Sequence, residues 1–357
     1  MASRGPDSLK WKVELHNHLD GSIRAETIIE LARNKGAELP FDNVRQLKEL
    51  VSCENVDVKD RSLRRFLEPF PVFLSVVRGD AAALRRCAIE FCEDQANEGV
   101  LYTEVRYAPQ LLSSEASNTI QNTDQLTDEG ALQVILEGLA EGSRRYGITV
   151  RSLLCCIRPF PELSAKTAEL CKKFHGKGVV GIDLAGDEGN YPIKPDDEFV
   201  KAFQEVKKFG IHRTAHAGEA GPAESIRQSL DWLSAERIGH GYHLVEDEKL
   251  FNRVKNEKIH LELCPTSSLL TGSCHSFTGH PAKRFIDQGL NFSLNCDCSL
   301  SCNVGVADEY DLVYNDWGYD IPILTRAAFN AARSCFLPEE EKKQLIADLE
   351  RIHGLRC

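Results

Sequence analysis

Nowhere in the 357 residues do about 18 consecutive apolar residues occur, the length that a membrane-spanning helix needs. Met1 to Trp11 carries charges throughout and lacks the apolar stretch of a secretory signal. Both absences predict a soluble, cytoplasmic chain with no membrane partner. Positive charge is also short, with 43 Lys and Arg against 54 Asp and Glu and a formal charge of -11. That is the wrong sign for holding a phosphate backbone by counterion release, so no nucleic-acid partner is expected. The thirteen cysteines, scattered from Cys53 to Cys357, form no CxxC, which disfavours both a disulfide framework and a cysteine zinc finger. They read as reduced, small core residues. No internal repeat, Gly/Ser linker or low-complexity stretch marks a domain boundary, and the length fits one barrel-sized domain over 1–357.

What is present is enough to fold. Hydrophobic residues at 42% and charged residues at 27% are ordinary globular usage and can bury a core. Eight short β-branched or apolar runs recur: Val13 to Leu15, Val100 to Arg106, Ile148 to Ile157, Val179 to Leu184, His212 to Ala215, Arg237 to Ile238, His260 to Leu263 and Asn291 to Asn295. Stretches with helical spacing lie between them, among them Asp80 to Asn97, Asp128 to Tyr146, Ser164 to Phe174 and Asp196 to Lys208. This alternation is what a parallel sheet with crossover helices requires. Eight units, with no GxGxxG turn, predict an α/β chain folded as a (β/α)8 TIM barrel rather than an open doubly wound sheet. The connection from Leu19 to Gly99 is too long for one crossover, so a helical insertion is expected over about 22–98.

Polar residues gather at or just beyond the C-terminal ends of these runs: His16, His18 and Asp20, then Asp187 and Glu188, His216 and Glu219, His240 and His243, and Asp297. In a parallel barrel those ends share one rim, where active sites are built. On extended backbone the two imidazoles of His16-Asn17-His18 fall on one face and can grip one cation. A third imidazole from His216 and the Asp297 carboxylate would complete a set for a divalent metal such as Zn²⁺, leaving a position for water. An isolated HxH is more often a chance pair at a strand end; donors at several strand ends together argue for the metal. Glu219 lies three residues beyond His216 across a glycine, placed either to shuttle a proton or to favour the first turn of the helix that follows. His240, between Gly239 and Gly241, is suited to orienting a reacting water, whereas His243 reads equally as a packed histidine. Gly186 is either an ordinary turn glycine or a backbone amide that can approach a planar ligand.

Taken together, Lys12 to Ser22, Asp183 to Glu188, His212 to Glu219, Gly239 to His243 and Ser293 to Asp297 resemble the ordered motifs of the animal-type adenosine deaminases. Val105-Arg106-Tyr107, Ser152 to Cys156, Glu169 to Lys173 and Phe336 to Glu339 extend the resemblance over nearly the whole chain. It implies an amidohydrolase barrel that converts adenosine and 2′-deoxyadenosine to inosine-type products and ammonia. Carried over by position, His16, His18, His216 and Asp297 would hold zinc, with Asp297 also counted among the catalytic groups. Glu219 would donate a proton to purine N1, and His240 would position the attacking water and help deprotonate it. The Gly186 amide would meet N3 and Asp20 the ribose 5′ hydroxyl, which favours a purine nucleoside over a nucleotide. Leu63, Phe66, Leu67 and Phe70, spaced i, i+3, i+4 and i+7 on the inserted helix, would form a hydrophobic lid. The zinc deaminases of polynucleotides pair an HxE with a PCxxC, and that pairing is absent.

One motif departs from the family. A second Asp directly follows the zinc aspartate there, and then Pro; this chain has Cys298 and Ser299. The resemblance gives that second carboxylate a hydrogen bond to purine N7. Losing a hydrogen bond to a charged group costs about 1.5 to 3 kcal/mol, roughly tenfold to hundredfold in affinity or rate. Alternation on an extended segment would send the sulfurs of Cys296 and Cys298 to the face opposite Asp297, although a thiol contact to N7 stays open. The expectation is therefore a zinc-dependent adenosine deaminase open to attenuation. A nucleoside-binding paralogue without useful turnover, or an amidohydrolase acting on a different amine or a modified purine, are the alternatives.

Overall fold

The computed structural model describes residues 11–114 and 125–354. Eight parallel strands follow one another around the sheet in chain order: β1 (Lys12–His18), β2 (Val100–Tyr107), β3 (Thr149–Ile157), β4 (Val179–Ala185), β5 (His212–Ala217), β6 (Arg237–His240), β7 (His260–Leu263) and β8 (Asn291–Leu294). All eight expected runs are strands, and the architecture is the (β/α)8 barrel that their alternation with helices predicts. β1 and β8 close the ring through a single parallel bridge, Asn17 to Asp297. The His18 amide donates to the Asp297 carbonyl at 2.7 Å and the Asp297 amide to the His16 carbonyl at 3.2 Å. Side chains replace the missing ladder bonds: Asn295 Oδ1 accepts from the Leu15 amide at 2.8 Å and Glu14 Oε1 from the Cys296 amide at 2.8 Å.

β1, β5 and β6 run further than the apolar pattern indicates. His16 and His18 lie inside β1, His216 inside β5 and His240 inside β6, because neighbouring strands continue the ladder; His18 pairs with Arg106 and Ala217 with His240. The connection after β1 holds five helices, α1 (Ala25–Lys35), α2 (Val44–Val51), α3 (Leu63–Leu67), α4 (Phe70–Leu74) and α5 (Ala81–Asn97). The expected single lid helix is two. Pro69 and Pro71 supply no amide to bond back one turn, so the stripe breaks, with Leu63, Phe66 and Leu67 on α3 and Phe70 on α4.

The crossovers include α6 (Pro109–Leu112), α7 (Asp128–Tyr146), α8 (Ser164–Phe174), α9 (Glu198–Lys208), α10 (Ala223–Asp231), α11 (Glu248–Asn256), α12 (Pro265–Leu270) and α13 (Pro281–Asp287). After β8 come α14 (Ser299–Cys302), α15 (Val306–Asp311), α16 (Ile321–Ser334) and α17 (Glu339–Ile352). Among the described residues no helix is long and apolar enough to cross a membrane. The apolar core, with Val105, Leu154, Ile182, Ile238, Leu261 and Phe292 fully buried, packs the helices onto the strands.

Inside the barrel, ion pairs occupy space that layers of branched apolar side chains usually fill. Arg106 holds Asp183 at 3.0 Å and Glu262 at 2.7 Å, and Arg237 holds Glu262 at 2.8 Å and Glu104 at 2.6 Å. All five side chains are buried, which is tolerable only because each charge is paired and hydrogen-bonded.

α5 and α7 touch through small residues. A Cβ on Gly138 would stand 2.8 Å from both the Ala88 Cβ and the Arg85 carbonyl oxygen, a backbone atom that cannot yield. Helix propensity favours Ala over Gly by roughly 0.5 to 1 kcal/mol, whereas overpacking typically costs about 1 to 3 kcal/mol. Gly138→Ala should therefore destabilise the chain, read as a lower urea midpoint at unchanged slope.

Candidate active site

The strand register brings the donors to one point. His16 Nε2 lies 3.2 Å and His18 Nε2 3.4 Å from the same Asp297 oxygen, and His18 Nε2 lies 3.0 Å from His216 Nε2. The ligand atoms of His16, His18, His216 and Asp297 are all within 4.8 Å of one another. Gly239 is required at this spot because a Cβ there would stand 2.8 Å from the His16 Cε1.

The outer atoms of three of the four donors are anchored, whereas His18 Nδ1 has only Asp20 at 3.8 Å. His16 Nδ1 bonds Glu262 at 2.7 Å, His216 Nδ1 lies 3.1 Å from both Asp183 Oδ2 and the Leu184 carbonyl, and Asp297 Oδ2 accepts from the Ser267 hydroxyl at 2.6 Å. Such partners fix the tautomer and aim the remaining nitrogen inward. His16 Nε2 is buried with no hydrogen-bond partner among the described residues. Three imidazoles converging on one carboxylate, with an orphaned nitrogen among them, fit a divalent cation.

Above this point opens a cavity of about 1060 Å³ lined by His18, Asp20, Leu63, Phe66, Leu67, Phe70, Gly186, His216, Glu219, His240, Asp297 and Cys298. Of the polar residues singled out at the strand ends, His16, Glu188 and His243 do not line it, and His16 lies beneath, against Asp297. Glu219 Oε2 is 3.7 Å from His240 Nε2, and its Oε1 is buried without a partner among the described residues. Burial, then the negative charges of Asp297 and Glu188, push the Glu219 carboxyl well above its usual range. Burial pushes Asp20 up to about 7. Asp297 goes the other way: burial opposes its charge, but the hydrogen bond and charge of His16 and the nearby His240 and His18 hold it well below the carboxylate range. Burial lowers His240, helped by His16.

Two positions differ from the sequence reading. Asp297 adopts φ 71°, in the left-handed region, so the strict alternation of extended backbone fails there. Cys296 remains on the core side, its sulfur accepting from Asn17 Nδ2 at 3.2 Å, but Cys298 faces the cavity. His243 turns away from the site and pairs with Glu246 at 2.9 Å.

Other groups are given no role by the sequence, Glu188 although it is named at a strand end, and Asp183 and Glu262 as donor anchors. Glu188 accepts from the amides of Gly218, Glu219, Ala220 and Gly221 at 2.9 to 3.0 Å, so one buried carboxylate shapes the loop that carries Glu219. Asp183 and Glu262 anchor two imidazoles. Their signal was a charged residue inside an otherwise apolar strand, as in Val179 to Ala185 and His260 to Leu263.

Residues 11–352 match the family model described as adenosine deaminase. The adenosine deaminase of Rattus norvegicus is 44% identical over 347 residues, covering 96% of this chain and 97% of the relative. Among solved structures, the adenine deaminase of Arthrobacter aurescens superposes with a TM-score of 0.82 at 25% identity, covering 95% of this chain and 98% of that one. The N6-mAMP deaminase of Arabidopsis gives 0.81 at 27% identity, covering 95% and 97%.

Proposed function

Because the chain belongs to the adenosine deaminase family, we propose that it hydrolyses the 6-amino group of adenosine and 2′-deoxyadenosine, releasing the inosine product and ammonia, with Zn²⁺ as its metal. The observation that carries this reading is the convergence of His16, His18, His216 and Asp297 beneath a cavity that Glu219 and His240 share. Those four side chains would hold the ion. The chemistry a bound zinc supplies is Lewis acidity, which lowers the pKa of a water from about 15.7 to about 7.

The remaining work falls to the protein. His240, with both ring nitrogens otherwise unpartnered, orients the attacking water and takes its proton. Oxygen bonds to C6 and charge moves onto N1, where the protonated Glu219 carboxyl delivers a proton. His240 passes the proton it took to the 6-amino group, the C6–N bond breaks and ammonia leaves as the new C6 hydroxyl gives its proton back to Glu219 and becomes the carbonyl. Gly186, at φ 105°, turns the end of β4 so that its amide can meet N3. Leu63, Phe66, Leu67 and Phe70 cover the purine and exclude water. Asp20 takes the 5′ hydroxyl. A carboxyl at that place favours a nucleoside over the free base, which offers no ribose, and over a nucleotide, whose phosphate it repels when ionised. The twelve described cysteines are all unpaired and buried, which supports a reducing, cytoplasmic setting.

Cys298 offers purine N7 only a weak donor. Burial raises its thiol well above the usual value, so it stays neutral. Cys298→Asp, whose carboxyl donates to the N7 lone pair when protonated, should raise kcat/KM for adenosine by roughly tenfold to hundredfold, and it should prefer adenosine over 7-deazaadenosine more strongly than the parent does. If turnover stays at background in zinc-loaded Cys298→Asp, the binding-paralogue reading gains. The direct test is to purify the protein, measure its metal content and follow the ultraviolet change with adenosine, 2′-deoxyadenosine and AMP. Zinc-loaded protein that leaves all three untouched would reject the catalytic assignment.

A further inference from the structure

Two of the proposed zinc donors also belong to a second convergent set. The ligand atoms of His16, His240, Cys264 and Asp297 all lie within 4.8 Å of one another, and all four residues are buried. This set trades the imidazoles of His18 and His216 for that of His240 and a thiol. Both ring nitrogens of His240 are buried with no hydrogen-bond partner among the described residues. Among the described residues the Cys264 thiol has only a long contact, 3.8 Å, to the Glu262 carbonyl. The Cys264 amide donates to the Tyr242 hydroxyl at 2.7 Å, which ties the end of β7 to the turn after β6 that carries His240. The two new donors are thus held together by the fold before any ion arrives.

From this geometry we propose that His16, His240, Cys264 and Asp297 form an alternative cation site that takes thiophilic ions such as Cd²⁺ and thereby switches the enzyme off. The inference rests on the reading of His16 and Asp297 as metal donors. His16 can serve only one ion at a time, because its Nδ1 is engaged with Glu262 and only Nε2 faces inward. The two sets therefore compete. The first offers nitrogen and carboxylate oxygen alone, which suits borderline ions, whereas a sulfur donor selects soft ones. On binding, the Cys264 S–H bond breaks, a sulfur–metal bond forms and one proton passes to solvent; nothing is oxidised or reduced. Occupation removes His240 from the water and draws the ion away from His18 and His216.

The test titrates Cd²⁺ into the full-length protein and follows the ultraviolet thiolate-to-cadmium charge-transfer absorption, proton release and displaced zinc. One thiolate band should grow with one proton released per ion. Turnover should fall by roughly a hundredfold, the lower end of a general base's contribution. The band should vanish in Cys264→Ser and persist in Cys298→Ser, which removes the thiol that lines the cavity. Cadmium that binds with no thiolate band, or a band that survives Cys264→Ser, overturns the inference. Should Cys264→Ser fail to fold, the parent decides by proton release and the Cys298→Ser band. A zinc-loaded chain inert towards adenosine that still shows the Cys264-dependent band with cadmium would sink the proposed function and keep this site. An active zinc enzyme whose cadmium complex lacks the band would sink this site alone.

Discussion

Glu219→Gln should bind zinc in full and turn adenosine over about 10² to 10⁴ times more slowly, the range that a positioned acid or base contributes. The substitution keeps the shape of the side chain and a hydrogen bond to N1 but removes the transferable proton. That loss corresponds to about 2.7 to 5.4 kcal/mol of transition-state stabilisation. Glu219 lies outside the four-donor set, so metal content is the control that separates a missing proton from a damaged site.

The same carboxyl fixes a pH dependence. Burial and the charges of Asp297 and Glu188 raise its pKa, so it remains protonated at pH values where an ordinary glutamate has ionised. The active form is the protonated one. Activity should therefore be full below the raised pKa and fall as pH rises through it, and in Glu219→Gln this alkaline limb should disappear from the kcat/KM profile. Turnover within threefold of the parent, with the limb intact, would falsify the assignment of Glu219 as the proton donor.

Stripping the metal should be the other large effect. Chelated protein should lose deamination to background and regain it on addition of zinc, whereas His216→Ala should regain little at the same zinc concentration. Altering a partner that merely orients a donor typically costs about 10- to 100-fold in metal affinity, so removing a donor outright should cost more. Stability should follow, because an ion that binds only the folded chain at about 1,000 times its Kd stabilises it by about 4.1 kcal/mol. The melting temperature of the parent should rise with zinc, and that of His216→Ala should not. A parent that deaminates adenosine undiminished after exhaustive chelation would remove the metal from the reaction.

Much of the site could be read in the chain because the chemistry falls at strand ends. His16, His18, His216 and His240 stand in or after short apolar runs, and in a parallel barrel all such ends open on one rim. What the pattern could not place was the length of those strands. Polar residues look like the end of a run, and only pairing with neighbours such as Arg106 and Gly239 carries the strand through them. The lid stripe was legible as a hydrophobic face, but the missing amides of Pro69 and Pro71 split it into two helices. Cys298 shows the limit most sharply. Alternation predicted a sulfur turned from the site, and one left-handed residue, Asp297, reversed it.

The sequence by itself determined the eightfold alternation of strands and helices, the long helical connection after the first strand and which residues stand as candidate donors, since periodicity and residue type are local properties. Only the tertiary structure decided which carboxylates anchor which imidazoles, as with Glu262 on His16 and Asp183 on His216, and that Glu188 folds the loop bearing Glu219. Those pairings join β1 to β7 across the ring and β4 to its neighbour β5, strands that are separate along the chain. Their strength comes from burial and exact distance, which exist only once the barrel has closed.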